Sequence, residues 1–469
     1  MDWKPQIDAY WARPDRQRAL VDATARLVAV PSVKGEPQPG APFGVGPRRC
    51  LDEALALCRE LGFAAENVDG YVGTADLNGR ETALHILGHL DVVDAGAGWT
   101  REPFRVTEEG GLLYGRGVAD DKGPVAAALL AMLCVRDLGV EFPYNAKLIL
   151  GTDEESGSAD IAYYYGRAPY AKYTFSPDAD FPLIHIEKGM YQPVFSRTFA
   201  PTDAVPRVVS LTGGFRINVI PGEAEAVLTG LDAAGVQEAL TRTAAETGVS
   251  FQAEDHGGRC RILARGAGGH ASLPEGANNA LTGLLRLLAA LPLADCDSTR
   301  AVRHLAALFP HGDGAGRALG IAVSDALSGP TTAALTLLRL DESGAEGRFD
   351  SRTALAATEE NTRRAAEAAL ARGGFRCTGA MTPPHHTPAD SPIVQKLLRC
   401  YRLYTGETDA QPLAIGGGTY VHGIPGGVAF GCERAGFSSN MHGADERIPV
   451  ETLVLSARIF SQAIIDLCS

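Results

Sequence analysis

No two of the nine cysteines in this sequence are spaced Cys-x-x-Cys, and their number is odd. They stand at 50, 58, 134, 260, 296, 377, 400, 432 and 468, a scatter that argues against a disulfide framework and suits idle thiols in a reducing compartment. Long hydrophobic runs are also missing. Val125 to Val135 is the longest that matters, well short of the roughly 18 residues of a membrane span. The opening Met1-Asp2-Trp3-Lys4-Pro5-Gln6 has none of the character of a secretory signal. Positive charge is in deficit, with a formal net charge of -13, so a phosphate-binding face is not expected. There is no internal repeat and no low-complexity tract. What is there is a globular composition, 45% hydrophobic and 21% charged over 469 residues, enough for two or more domains. The expectation is a soluble cytoplasmic protein with neither nucleic-acid nor membrane partners.

Helical and strand patterns alternate in the first third, as in an α/β domain. Helices are predicted over Asp15 to Val30, Arg48 to Leu61, Val125 to Leu138 and Ser158 to Tyr165. Strands are predicted over Ala83 to Leu87, Ala146 to Leu150 and Tyr173 to Phe175. Pro124 suits a helix start and Gly139 a helix end. After about Lys188 the texture changes. Strands at Val208 to Leu211 and Ala224 to Thr229 mix with helices at Ala234 to Thr247, Asn279 to Leu291, Thr299 to Phe309 and Thr358 to Arg372. From about Met381 the α/β texture returns, with helices at Ser391 to Tyr404 and Val450 to Leu467 and a strand at Gly427 to Phe430. This reads as one discontinuous domain, 1–187 with 381–469, interrupted by an inserted α+β domain, 188–380.

Four polar clusters lie at strand ends or helix starts in glycine-rich surroundings: Gly88-His89-Leu90-Asp91, Asp120-Asp121-Lys122-Gly123-Pro124, Asp153-Glu154-Glu155-Ser156-Gly157 and Ser176-Pro177-Asp178-Ala179-Asp180. Ligands of open α/β sheets bind at the carboxyl ends of strands, so these clusters point to one shared site. Carboxylate oxygen and imidazole nitrogen suit zinc and similar divalent ions. Carboxylates crowded this closely would repel one another without cations.

With Met441-His442-Gly443-Ala444-Asp445-Glu446 added, the motifs resemble those of the PepV-type dipeptidases, within the larger metallopeptidase family of ArgE, DapE, glutamate carboxypeptidases and aminoacylases. The resemblance runs over nearly the whole chain. It implies an α/β catalytic domain with a mixed, mostly parallel sheet flanked by helices, and a lid formed by the insert. It implies two divalent ions, zinc first, with manganese or cobalt as alternatives. Asp120 would bridge them, His89 and Asp178 would complete one ion, and Glu155 and His442 the other. Glu154 would be the general base, and Asp91 would hold the His89 imidazole. The Asp120-Asp121 peptide is expected to be cis. In the insert, His270 of Gly269-His270-Ala271-Ser272 would stabilise the oxyanion. Arg352 would clamp the substrate carboxylate, Asn218 would hold the same end, and Gly417 would let backbone approach the substrate. His85 is expected in the core, and His385, His386 and His422 are given no catalytic role.

The long insert resembles a covalent stand-in for the partner subunit of dimeric relatives. That implies a monomer with an enclosed site and small dipeptide substrates. Two other readings stay open: a deacylase of N-acyl or N-succinyl amino acids, and a non-catalytic binding protein on the same fold.

Overall fold

The structure, a computed structural model, describes residues 2–469. The chain folds as two compact units. The first comprises residues up to Ile186, His385–Ala414 and Gly418–Ser469, and the second comprises Glu187–Pro384 with Ile415–Gly417. The sequence alone places Ile415–Gly417 with the first unit. They group with the second because the Ile415 carbonyl accepts from the Lys188 amide and the Gly416 carbonyl accepts from Arg352.

In the first unit, the strands Asn145–Gly151, Thr82–His89, Tyr173–Ser176 and Val428–Ala429 lie side by side and run parallel. Antiparallel strands Val72–Asp76 and Ala64–Val68 extend one edge, so the sheet is mixed and its parallel part is confined to the centre. Thr82–His89 is buried along nearly its whole length, as expected for a central strand covered on both faces. The helix Lys122–Asp137 is buried all round, from Lys122 to Val135, and packs against the C-terminal helix Val450–Cys468. It begins two residues before Pro124, and thus directly after Asp120-Asp121. The sequence reading missed the opening helix Lys4–Trp11, which docks Ile7 and Trp11 into the core.

The second unit is built on a ten-stranded sheet. Its longest pairing is the antiparallel hairpin of Thr332–Leu340 with Gly344–Thr353, which the sequence reading passed over. The signal was present as alternation flanking a turn. Asp341 Oδ1 accepts the amides of Ser343 and Gly344, which closes that turn. The helices Ala233–Thr247, Ala280–Ala290 and Asp297–Leu308 pack on this sheet through a core of Leu, Ile and Phe. Among the described residues no helix is long and apolar enough to cross a membrane.

Candidate metal centre

Five sequence motifs meet at the carboxyl ends of the central strands of the first unit. His89 ends the strand Thr82–His89, and the Glu154-Glu155 turn follows Asn145–Gly151. Asp178 follows Tyr173–Ser176, Asp120 precedes the buried helix, and His442 lies in the loop before Val450. Glycine is required where these segments touch. A Cβ at Gly88 would stand 2.3 Å from Val125 Cγ2, and one at Gly151 would stand 1.9 Å from the Tyr420 hydroxyl.

The carboxylate of Asp120 is divided between two histidines. Its Oδ1 lies 2.9 Å from His89 Nε2, and its Oδ2 lies 2.9 Å from His442 Nε2. Asp178 Oδ2 stands 3.6 Å from His89 Nε2, and Glu155 Oε2 stands 3.2 Å from His442 Nε2. Two groups able to hold a cation result: His89 with Glu154 and Asp178, and Asp120 with Glu155 and His442. The Asp120-Asp121 peptide is cis.

These donors fit cations better than they fit one another. His89 Nδ1 lies 3.0 Å from the Asp91 backbone carbonyl, which can only accept, so Nδ1 carries the hydrogen. In a neutral ring, Nε2 then turns a lone pair toward carboxylate oxygens, and this atom is fully buried without a hydrogen-bond partner. A cation is the partner this geometry lacks. Without one, protons take its place. Burial opposes charge on His89, but the carboxylates of Asp120, Asp178 and Asp91 beside it outweigh burial and raise the ring well above its ordinary value. Hydrogen bonds to Asp120 and Glu155 push His442 up to about 10. Burial, with Asp120 beside it, pushes Glu155 up to about 7, and burial also raises Glu154 well above the carboxylate range.

Asp91 does more than hold the His89 imidazole. Its carboxylate accepts the amides of Glu154 and Glu155, each at 3.1 Å, and its Oδ1 is 3.5 Å from His89 Nδ1. The His89 ring is therefore held chiefly by the Asp91 backbone, while the side chain sets the Glu-Glu turn. Sequence reasoning missed a second buried prop. Tyr420 packs edge-on against His89, and its hydroxyl donates to Asp160 Oδ2 at 2.5 Å. The same oxygen accepts the amides of Thr152 and Asp153.

A third device ties the Asp120 loop to the His442 loop. Glu446 Oε1 accepts the amides of Gly117, Ala119 and Asp120, while Oε2 takes Arg116 Nη1 at 2.6 Å. Arg116 Nη2 donates to the carbonyl of Gly443, one residue beyond His442. Three non-glycine residues of that loop, Asn440, His442 and Asp445, have left-handed backbone, a conformation that needs such support. Arg116 and Glu446 are both fully buried. Replacing Arg116 by alanine leaves the Glu446 charge uncompensated beside Asp120. The expected loss is about 3–5 kcal/mol of stability. It is checked by urea unfolding, and a midpoint equal to that of the parent would refute the coupling.

The remaining expected residues lie in the second unit. The strand Val219–Ile220 pairs with Gly269–His270, and the Asn218 carbonyl accepts the Ala271 amide. His270 is exposed. Arg352 is buried, with Nε and Nη2 bonded to the two carboxylate oxygens of Asp350 and Nη1 to the Gly416 carbonyl. Three of its five N–H donors are thus engaged within the protein. Close packing needs glycine at Gly416, where a Cβ would stand 2.9 Å from Ser272 Cβ; at Gly417 the nearest atom would be 3.7 Å away. His85 is buried in the first unit, with Nδ1 2.9 Å from the Tyr165 hydroxyl, and burial pushes it down to about 4.

The sequence pattern of the peptidase family M20/M25/M40 matches residues 85–466. The putative dipeptidase YtjP of Bacillus subtilis (strain 168) is 32% identical over 474 residues, covering 100% of each chain. The Beta-Ala-Xaa dipeptidase of Lactobacillus delbrueckii subsp. lactis is 32% identical over 428 residues, covering 91% of this chain and 90% of the relative. Among solved structures, human carnosine dipeptidase 1 aligns with a TM-score of 0.59 at 15% identity, covering 100% of this chain and 99% of that one. The di-peptidase Dug1p of Saccharomyces cerevisiae aligns with a TM-score of 0.59 at 12% identity, covering 99% and 98%. Those two likenesses establish the fold. The family match over residues 85–466 and the full-length relative establish descent: the chain belongs to peptidase family M20/M25/M40 and is a metal-dependent peptide hydrolase.

Proposed function

We propose that this chain is a two-metal dipeptidase. The observation that carries the reading is the divided carboxylate of Asp120, with one oxygen 2.9 Å from each of two histidine Nε2 atoms. In this reading Asp120 would be shared by both ions, His89 and Asp178 would complete one set, and Glu155 and His442 would complete the other. Zinc suits these donors, as do manganese and cobalt. When bound, the pair of ions polarises the peptide carbonyl and acidifies the attacking water.

Glu154 takes the proton of that water and returns it to the leaving amine. Asp91 and the Asp160–Tyr420 pair hold the turn that carries Glu154. His270 donates to the developing oxyanion. Asn218, Arg352 and the backbone at Gly417 take the substrate carboxylate, Arg352 through the two donors not engaged by Asp350 and Gly416. Dipeptides are favoured as substrates because two relatives at 32% identity are named dipeptidases. Action from a chain end, a cytoplasmic location and a monomer complete the reading.

Assaying a panel of unblocked dipeptides against N-acetyl and N-succinyl amino acids tests it. The dipeptides are expected to exceed the acylated compounds in kcat/KM, as the names of the two relatives at 32% identity imply. Turnover of the acylated compounds alone would replace this reading with that of a deacylase.

A further inference from the structure

The loop after His270 fixes more than the position of its ring. The Ser272 backbone amide donates to His270 Nδ1 at 3.2 Å, and the Ser272 hydroxyl lies 2.6 Å from the same nitrogen. An amide N–H has no acceptor capacity, so Nδ1 is the accepting nitrogen. The hydrogen of the neutral imidazole then belongs on Nε2. The hydroxyl strengthens this assignment by pointing a second donor at Nδ1.

The serine itself is held. Ala271 before it is buried, and its amide donates to the Asn218 carbonyl at 2.9 Å. The Leu273 amide after it returns to the His270 carbonyl at 3.0 Å. A Cβ added at Gly416 would stand 2.9 Å from Ser272 Cβ, and the Gly416 carbonyl is itself held by Arg352 at 2.7 Å. Asp350 grips the Arg352 fork from the other side.

We propose that Ser272 is a positioning residue for the reaction: its hydroxyl holds His270 as the Nε2–H tautomer, the form able to donate to an oxyanion. This rests on the reading of His270 as the oxyanion donor. A ring with its hydrogen on Nδ1 would present a lone pair to the developing negative charge, so control of the tautomer is control of the rate. Because Ser272 abuts the Gly416 turn that Arg352 holds, the donor and the carboxylate-binding residues are set by one continuous run of contacts.

The test uses the metal-loaded protein with 15N-labelled histidine. The Ser272→Ala, Ser272→Thr and His270→Ala variants are compared by long-range 1H–15N correlation spectra and by steady-state kinetics. The His270 signals are assigned by their loss in His270→Ala. The parent is expected to show the Nε2–H pattern at His270. Ser272→Ala keeps the backbone amide at 3.2 Å but loses the closer hydroxyl at 2.6 Å, and is expected to shift it toward a mixture of tautomers. The same variant should lower kcat by about threefold to tenfold, the worth of one hydrogen bond, with KM changed by less than about twofold. Ser272→Thr keeps a hydroxyl and should restore both. An unchanged tautomer pattern and kcat in Ser272→Ala would overturn the proposal, as would a folded Ser272→Thr that restores neither. His270→Ala with kcat intact would instead sink the oxyanion reading, while the tautomer spectra would still report on Ser272 by themselves.

Discussion

Glu154→Ala is expected to lower kcat by about three orders of magnitude or more, within the range set by losing a positioned acid–base group, while both metal ions stay bound. Burial, together with the charges of Asp178, Glu155 and Asp120, raises the proton affinity of Glu154, with His89 acting against them. A carboxylate raised in this way is a stronger base toward water than one in solvent. Its backbone is also fixed, since Asp91 accepts its amide at 3.1 Å. Metal analysis alongside kinetics makes the result decisive, because Glu154 lies close enough to His89 and Asp178 to serve as a third ligand. Two ions per chain with turnover lost supports the base. One ion per chain would make Glu154 a ligand, and undiminished turnover would remove it from the mechanism. Glu154→Gln keeps the shape and should behave as Glu154→Ala does.

Stripping the ions with a chelator is expected to abolish activity and to lower the melting temperature of the first unit by several degrees. An ion held at a thousand times its dissociation constant contributes about 4 kcal/mol to the folded state. The stripped site must also bring Asp120, Glu154, Glu155 and Asp178 together with only protons to separate them. That burden appears in His442, pushed up to about 10 by Asp120 and Glu155, and in Glu155, raised to about 7 by burial. Zinc, manganese and cobalt added back singly should each restore the melting temperature, with activity differing between them. Calorimetry of the stripped and reloaded protein checks the thermal effect. A stripped protein that melts and turns over as before would contradict a metal-dependent centre at these residues.

Much of the centre was legible before any coordinates. His89, Asp120, Glu154, Glu155 and Asp178 all sit at the end of a predicted strand or the start of a predicted helix. Chain geometry therefore gathers them once the strands lie parallel. His442 was legible only through the resemblance, because its loop has no periodicity to read. It takes its place through three left-handed residues and a carbonyl held by Arg116. Asp91 was found, but only part of what it touches was foreseen. The resemblance implies a hold on the His89 ring; the ring meets the Asp91 carbonyl at 3.0 Å and Oδ1 at 3.5 Å, while the carboxylate also reaches across to Glu154 and Glu155.

In the second unit, Arg352 was found as a candidate clamp, but its pairing with Asp350 was not foreseen. A separation of two places both side chains on one face of the strand Gly344–Thr353. The alternation was readable, but not that the guanidinium would turn back along its own strand toward Gly416.

By itself the sequence determined which groups can hold cations here, because donor chemistry is a property of residue type, and it determined the order of strands and helices that gathers them. The tertiary structure alone decided how those groups are held. Arg116 meets Glu446 across 330 residues, and Tyr420 meets Asp160 across 260. No local pattern encodes a pairing at that range, because the partners become neighbours only after the sheet has formed and its loops have been buried against one another.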